Sequence, residues 1–384
     1  MSGRWVLGAV GDVFLNRPDP QNAFACVSPV LQDVDLLFGN CEGVYTNAPR
    51  SVPTASGFRL VSGPSNAEAL GPAGFHVMSC ANNHTVDAGH EGLSDTLESL
   101  KAQGIQCAGA GGNASEARRP AILECQGLKV AFLAFTSVYP AGYEARERSA
   151  GVAAMRVHTH YFVHPDAFGR VEPGADPQIR TFPFPEDLTV LADTIIEARA
   201  SADLVVVSFH WGKSTRPGLL TDYEKLYGHA AVDAGCDVVI GHHHHLLRGI
   251  ELYRGKPIFY GLGHFAFDMP GLELALAGDQ LQRLRNFGEY AIYPREGYPL
   301  LPFHPDSRMT MIGLCCFDGR DLAQVCFVPC LINKENQPVP LAVCEERGKQ
   351  VVDYVRAVTG IAELPTAYAE DGSVIGSYQT VVVR

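Results

Sequence analysis

Six side chains with oxygen or nitrogen donors, Asp12, Glu42, Asn83, His210, His243 and His245, each stand just beyond a short apolar run. Residues 5–10 lead to Asp12, 34–38 to Asn40 and Glu42, and 75–78 to Asn82, Asn83 and His84. Further along, 204–208 lead to His210 and 237–241 to four consecutive histidines, His242 to His245. Carboxylate, carboxamide and imidazole groups make a donor set that suits a divalent metal. Two such ions a few Å apart can share one carboxylate, activate a water and clamp the attacking and leaving oxygens of a displacement. About six to eight ligands from several elements are needed, and these residues reach that number. The pattern predicts a metalloenzyme with one or two divalent ions (Mn, Zn or Fe). His84 precedes Asp87 by one helical turn, so the carboxylate can hold the imidazole in one tautomer as a proton donor.

Runs of this length read as buried strands of a parallel sheet, and open α/β sheets bind ligands beyond the carboxyl ends of their strands. Strand-like and helix-like segments alternate to about residue 268. Helix periodicity is expected over 87–103, which closes at Gly104, and again over 187–200 and 222–234. The segment 257–268 reads as one more buried strand with a glycine-rich exit. Residues 140–185, rich in Pro, Gly, Arg and His, read as a long excursion over the sheet ends, with little periodicity. Residues 270–308 read as an insertion. Two β-rich runs, 309–317 and 322–332, flank Asp318-Gly319, a hairpin signal, and a last helix is expected over 345–358. The domain reading is one unit over 1–340, with a helix and tail over 341–384 packed on it.

A formal net charge of −12 with no run of Lys and Arg excludes a nucleic-acid binder, because phosphate-backbone binding needs a basic face. It also weakens a membrane-surface reading. An anionic substrate is still compatible if metal ions or a few local cations reverse the sign in the cleft. Lys213, Arg156, Arg216 and Arg248 are the candidate cations, since guanidinium pairs bidentately with carboxylate and phosphate. The 11 scattered cysteines, with no C-x-x-C pair, read as buried free thiols in a reducing compartment. With no apolar stretch long enough to span a bilayer and no leader-like opening, a cytoplasmic location is expected for the chain as given. Oligomeric state is not legible.

The motifs Gly11-Asp12, Asn40-Cys41-Glu42, Ala81-Asn82-Asn83-His84 with Asp87, His210-Trp211-Gly212, Gly241 with His242 to His245, and Tyr260-Gly261-Leu262-Gly263 with Phe265 and Asp268 resemble those of the CapA family. That family is named for poly-γ-glutamate capsule synthesis and is related to the calcineurin-like metallophosphoesterases. The resemblance runs in order from about residue 5 to 268, with a weaker tail to about 340. It implies an α/β fold, a four-layer α/β/β/α sandwich with mixed sheets and a dinuclear centre. By position, Asp12 resembles the first-strand metal aspartate and Glu42 the bridging carboxylate. Asn83 and His84 resemble the Asn-His pair, His210 the isolated ligand, and His243 and His245 the closing pair. Phe14 stands where the superfamily has the second histidine of Asp-x-His, so one ion would be poorly held, or only one would bind. His244 stands where the CapA pattern usually has proline, and His264 where it usually has asparagine.

His242 and His244 are expected to point away from His243 and His245 by alternation along an extended segment. His158, His160 and His164 have metal-like spacing but no strand behind them. The leading expectation is a hydrolase acting on poly-γ-glutamate, a γ-glutamyl compound or a phosphoester, with His84 as proton donor. The competitor is a non-catalytic accessory or binding protein of poly-γ-glutamate capsule metabolism.

Overall fold

A computed structural model describes residues 3–50, 59–163, 165, 168–172, 174–214, 216–271, 296–370, 372–375 and 377–384. The fold is mixed α/β, with two large sheets each containing parallel and antiparallel pairs. In the first, Arg4–Phe14 is central, parallel to Leu36–Cys41 and antiparallel to Met309–Asp318. Val77–Ser79 and Gln106–Ala108 extend it on one side and Asp321–Ile332 on the other. In the second, Leu128–Thr136, Leu204–His210, Val238–His242 and Lys256–Phe259 run parallel to their neighbours, and antiparallel Ala121–Cys125 and Ile250–Tyr253 form the edges. Strands buried on both faces read as unbroken apolar runs, which is the pattern of every central strand here.

Three hydrophobic clusters account for the layering. One lies between the sheets, where the rings of Phe38 and Phe132 stack at 5.8 Å. A second unites residues of the first sheet with Phe24, Leu70 and Leu100. The third covers the second sheet with Leu191 and Ile195 of helix Pro185–Ser201 and Tyr223 and Tyr227 of helix Asp222–Asp233. Valines 351, 352 and 355 of the last helix, Glu346–Ile361, join the cluster between the sheets.

Three expectations need correction. The segment 257–268 is two strands: Lys256–Phe259 belongs to the second sheet, while His264–Phe267 pairs parallel with Arg4–Phe14 in the first. Its glycines carry the chain across between sheets, which apolarity alone does not reveal. Residues 140–185 contain an exposed antiparallel hairpin, Val157–Phe162 with Gln178–Pro183; its interleaved His and Arg masked the β-branched and aromatic pattern. Helix Gly89–Ala102 starts two residues after Asp87, leaving that carboxylate in the turn before it. Residues 272–295, most of the expected insertion, and His164 lie outside the described residues. Among the described residues no helix is long and apolar enough to cross a membrane.

Candidate metal centre

The carboxyl ends of the two sheets meet where the crossing segment 260–263 passes between them. A Cβ on Gly11 would fall 1.9 Å from the Gly263 carbonyl oxygen, and one on Gly241 would fall 2.1 Å from that of Tyr260. Only glycine allows the backbones this close. The approach lets the Asp12 N–H donate to Gly263 O at 2.9 Å, fixing Asp12 against the crossing. The strand Val238–His242 then ends in a turn with His243 at φ 90° and His245 at φ 56°, left-handed conformations that are strained for a histidine.

That turn, rather than an extended alternation, throws the four histidines to different sides. His242 goes inward, with Nε2 3.2 Å from Val10 O and Nδ1 3.3 Å from Ser208 Oγ. Nε2 of His244 lies 2.8 Å from Glu224 Oε1. Through its other oxygen Glu224 accepts from Thr221 N and Oγ1, both at 2.6 Å, closing the capping box of helix Asp222–Asp233. His243 and His245 face the carboxylates.

The structure brings all six expected donors together, in two groups. In the first, His210 Nε2 lies 2.7 Å from Asn83 Oδ1, 3.1 Å from His243 Nδ1 and 3.7 Å from Glu42 Oε1. In the second, His245 Nδ1 lies 3.1 Å from Asp12 Oδ2, with His264 beside them. Glu42 stands between the groups, since its Oε1 is also 3.8 Å from His245 Nε2. That oxygen is buried and has no hydrogen-bond partner. A buried carboxylate with an unmet oxygen is costly unless a cation or a proton meets it. Burial, then the charge of Asp12, pushes Glu42 well above the usual carboxylate range. Burial also acts to raise Asp12, but the hydrogen bond and charge of His245, with His242 and His264, outweigh it and hold Asp12 low. His210 and His243 are held well below the ordinary imidazole value, first by burial and then by neighbouring histidines. Neutral imidazoles and an orphaned carboxylate oxygen fit divalent ions, which take such donors in deprotonated form.

His84 has its Nδ1 2.6 Å from Asp87 Oδ2. Asp87 is buried and accepts the Leu60 N–H at 2.8 Å and the Tyr143 hydroxyl at 3.0 Å. Two further residues, Asn40 and Asn82, frame the donors. Asn40 Nδ2 donates to Asp12 Oδ1 at 2.9 Å and lies 3.4 Å from Glu42 Oε2 and from His210 Nδ1. Asn82 Nδ2 donates to Asn40 Oδ1 at 3.1 Å and Cys41 O at 2.8 Å, while its Oδ1 accepts the His84 N–H at 3.1 Å. The i, i+2 spacing of Asn40 and Glu42 was the available signal for the first.

The candidate cations fare differently. Lys213 and Arg216 are exposed. Arg156 has its fork taken by Asp187, with Nη2 2.6 Å from Oδ1, and its guanidinium lies 4.5 Å over the Phe184 ring. Arg248 is fully buried beside His244 and donates to Lys213 O at 2.8 Å. Neither arginine is placed to clamp an arriving anion, because one is already paired and the other is enclosed. His158 stacks on Phe184 at 3.6 Å, and His158 and His160 are exposed.

Residues 6–269 match the profile of the bacterial capsule synthesis protein PGA_cap family. The chain belongs to that family. It is 29% identical over 270 residues to the PGA biosynthesis protein CapA of Bacillus subtilis (strain 168), covering 67% of this chain and 62% of that protein. It is 30% identical over 273 residues to the capsule biosynthesis protein CapA of Bacillus anthracis, covering 70% of this chain and 59% of that one. The matched stretch thus spans about three fifths of the length of these relatives.

Proposed function

We propose that this PGA_cap member is a metal-dependent hydrolase of poly-γ-glutamate or a γ-glutamyl amide, or of a phosphoester, built on a four-layer α/β/β/α sandwich of metallophosphoesterase type. Its relatives' names support the capsule context, and the three hydrophobic clusters support the layering. The observation that carries the reading is the orphaned Glu42 Oε1, midway between the imidazoles of His210 and His245.

Asp12, Glu42, Asn83, His210, His243 and His245 would hold one or two divalent ions (Mn, Zn or Fe). Such ions lower the pKa of a bound water and polarise the scissile group. Asn40 and Asn82 keep the donors in register. Asp87 fixes Nδ1 of His84, leaving Nε2 as the face that holds a proton and gives it to the departing atom. Lys213 and Arg216, both exposed, are the cations left to meet an anionic substrate. A second reading, an accessory or binding protein without catalysis, is favoured by Phe14; the anchored His84–Asp87 pair favours the enzyme.

The test is elemental analysis of the purified protein, followed by assay of poly-γ-glutamate of both stereochemistries beside an aryl phosphate ester. Bound metal, with turnover strongly reduced in His84→Ala and metal retained, is the expected result. Absence of metal, with no activity restored by Mn²⁺, Zn²⁺ or Fe²⁺, would favour the accessory reading. Cleavage of the polymer alone removes the phosphatase option.

A further inference from the structure

We infer that His264 is a metal ligand of the Asp12 group, supplying the imidazole that this group lacks at Phe14. The inference rests on the metal-dependent reading above and adds a residue to it.

His264 begins the strand His264–Phe267 directly after the glycine crossing, and its Cα partner in the parallel pairing is Asp12 itself. The side chain is completely buried, and neither ring nitrogen makes a hydrogen bond of acceptable geometry, although the Ser307 backbone acts on the ring. A neutral imidazole carries one N–H and one lone pair, and a buried polar side chain with both unmet calls for a missing partner. Its surroundings narrow what that partner is. The ring stacks on His245 at 4.5 Å, with Phe303 at 4.4 Å and Phe267 at 4.7 Å, so the walls are aromatic and fix its plane. One ligand atom from each of His264, Asp12 and His245 lies within 4.8 Å of the others. Packing alone would be met as well by phenylalanine. An imidazole turned toward a carboxylate and a second imidazole fits a first-row divalent cation. Phe14, meanwhile, packs its ring against Tyr45 at 5.7 Å and Phe267 at 6.3 Å and offers no donor.

The test compares metal-free wild type with His264→Phe, which keeps the ring stack but has no lone pair. Both are titrated with MnCl₂ by calorimetry and read by electron paramagnetic resonance. The expected result is two ions per chain with an exchange-coupled signal in the wild type. The variant should take up one tight ion with an isolated-ion signal, the second being weakened by about 10²-fold or more. Equal uptake and a coupled signal in both would overturn the role of His264 while leaving the metal centre intact. A wild type that takes up no ion would overturn both. Should the variant fail to fold, manganese-soaked wild-type crystals decide by anomalous scattering. A peak against His264 supports the inference, and peaks confined to Glu42 and His210 overturn it.

Discussion

The two halves of the donor cluster are held by different forces. Around His210 the groups are fixed by polar contacts, with Asn83, His243 and Asn40 all within hydrogen-bond reach. Around Asp12 the imidazoles are fixed by aromatic walls, His245 lying 5.2 Å from the Phe303 ring and His264 4.4 Å from it. The first half is therefore pre-set by direction, because hydrogen bonds are angular. The second is pre-set more by shape, because ring stacking restricts both planes and leaves the nitrogens of His264 unmet, although His245 Nδ1 also reaches Asp12. Glu42 belongs to both, and replacing it is the most severe way to break the comparison. Glu42→Gln is expected to weaken ion uptake in both halves by about 10²-fold or more and to abolish turnover. The same substitution should raise the melting temperature of the metal-free protein, since it removes an uncompensated buried carboxylate. Calorimetric metal titration and thermal melts with and without chelator measure both signs. Loss of metal from only one half would show that Glu42 does not bridge.

His84→Ala separates chemistry from metal holding. Turnover should fall by about 10²–10⁴-fold, the usual worth of a placed acid–base group, while elemental analysis shows unchanged metal. In Asp87→Asn turnover should fall less, because the imidazole loses the charge of its acceptor but keeps its place. A variant of His84 that loses metal would instead put His84 among the ligands.

How much of this was readable in advance depends on what each residue follows. Asp12, Glu42, Asn83 and His210 were legible because a strand end is marked by the close of an apolar run. His243 and His245 were legible as a pair through the family resemblance, but their separation from His242 and His244 comes from two left-handed residues and not from an extended alternation. His264 also stands after an apolar run. Its place at a strand start is hidden inside 257–268, which reads as one strand, because a crossing between sheets leaves no periodic signature. Glu224 was hidden for another reason: a capping box is a local pattern, and nothing local says that its second oxygen reaches His244, 20 residues on. The partners of Arg156 and Arg248 are set by tertiary structure, which residue type alone does not reveal. The α/β class was legible from the alternation of buried runs and amphipathic helices, and the exposed hairpin was not.

Acid should act most on the histidine turn. His210, His242, His243, His244 and His264 are all held below the ordinary value of about 6.5, burial being the first cause for each. The unfolded chain then binds more protons than the folded one as pH falls below about 6.5, so stability present above that pH is lost progressively. Each histidine contributes up to about 1.4 kcal/mol per pH unit in that window. Glu42 works in the opposite sense: its raised value makes the folded state the tighter proton binder above the usual carboxylate range, so acidification there returns part of the loss. Asp12, held low, adds its own loss only below that range. The metal-free protein should therefore melt at clearly lower temperature at pH 5.5 than at pH 7.5, and added Mn²⁺ should widen the gap, since proton and cation compete for the same donors. A flat melting profile would mean that the imidazoles are not held neutral.

Glu224→Gln probes the support of the turn rather than its donors. The capping oxygen is kept in part and the charge facing His244 is lost, so destabilisation of about 1 kcal/mol is expected, with ion affinity falling by about 10-fold as the turn loosens. Denaturant unfolding and metal titration read the two effects separately. A loss of stability with unchanged affinity would detach His244 from the positioning of its neighbours.

The smallest effect is expected at Arg156. Its side chain is half exposed and its ion pair with Asp187 is a surface pair, worth under about 1 kcal/mol. Three contacts that hold the segment do not use the guanidinium: the Arg156 N–H donates to Asp187 Oδ2 at 2.5 Å, the Phe184 N–H donates to Arg156 O at 3.2 Å, and Tyr227 donates to the same carbonyl at 2.8 Å. Arg156→Ala should leave metal content and turnover of a short substrate unchanged and stability nearly so. Asp187→Ala should destabilise more, because it removes the acceptor of a backbone N–H together with an acidic residue in the first turn of helix Pro185–Ser201. Measuring both variants on a short γ-glutamyl peptide and on the long polymer sharpens the contrast. A polymer-specific rise in KM for Arg156→Ala would make this surface a track for the chain beyond the scissile bond, and the division between a working cluster and a merely structural excursion would then have to be redrawn.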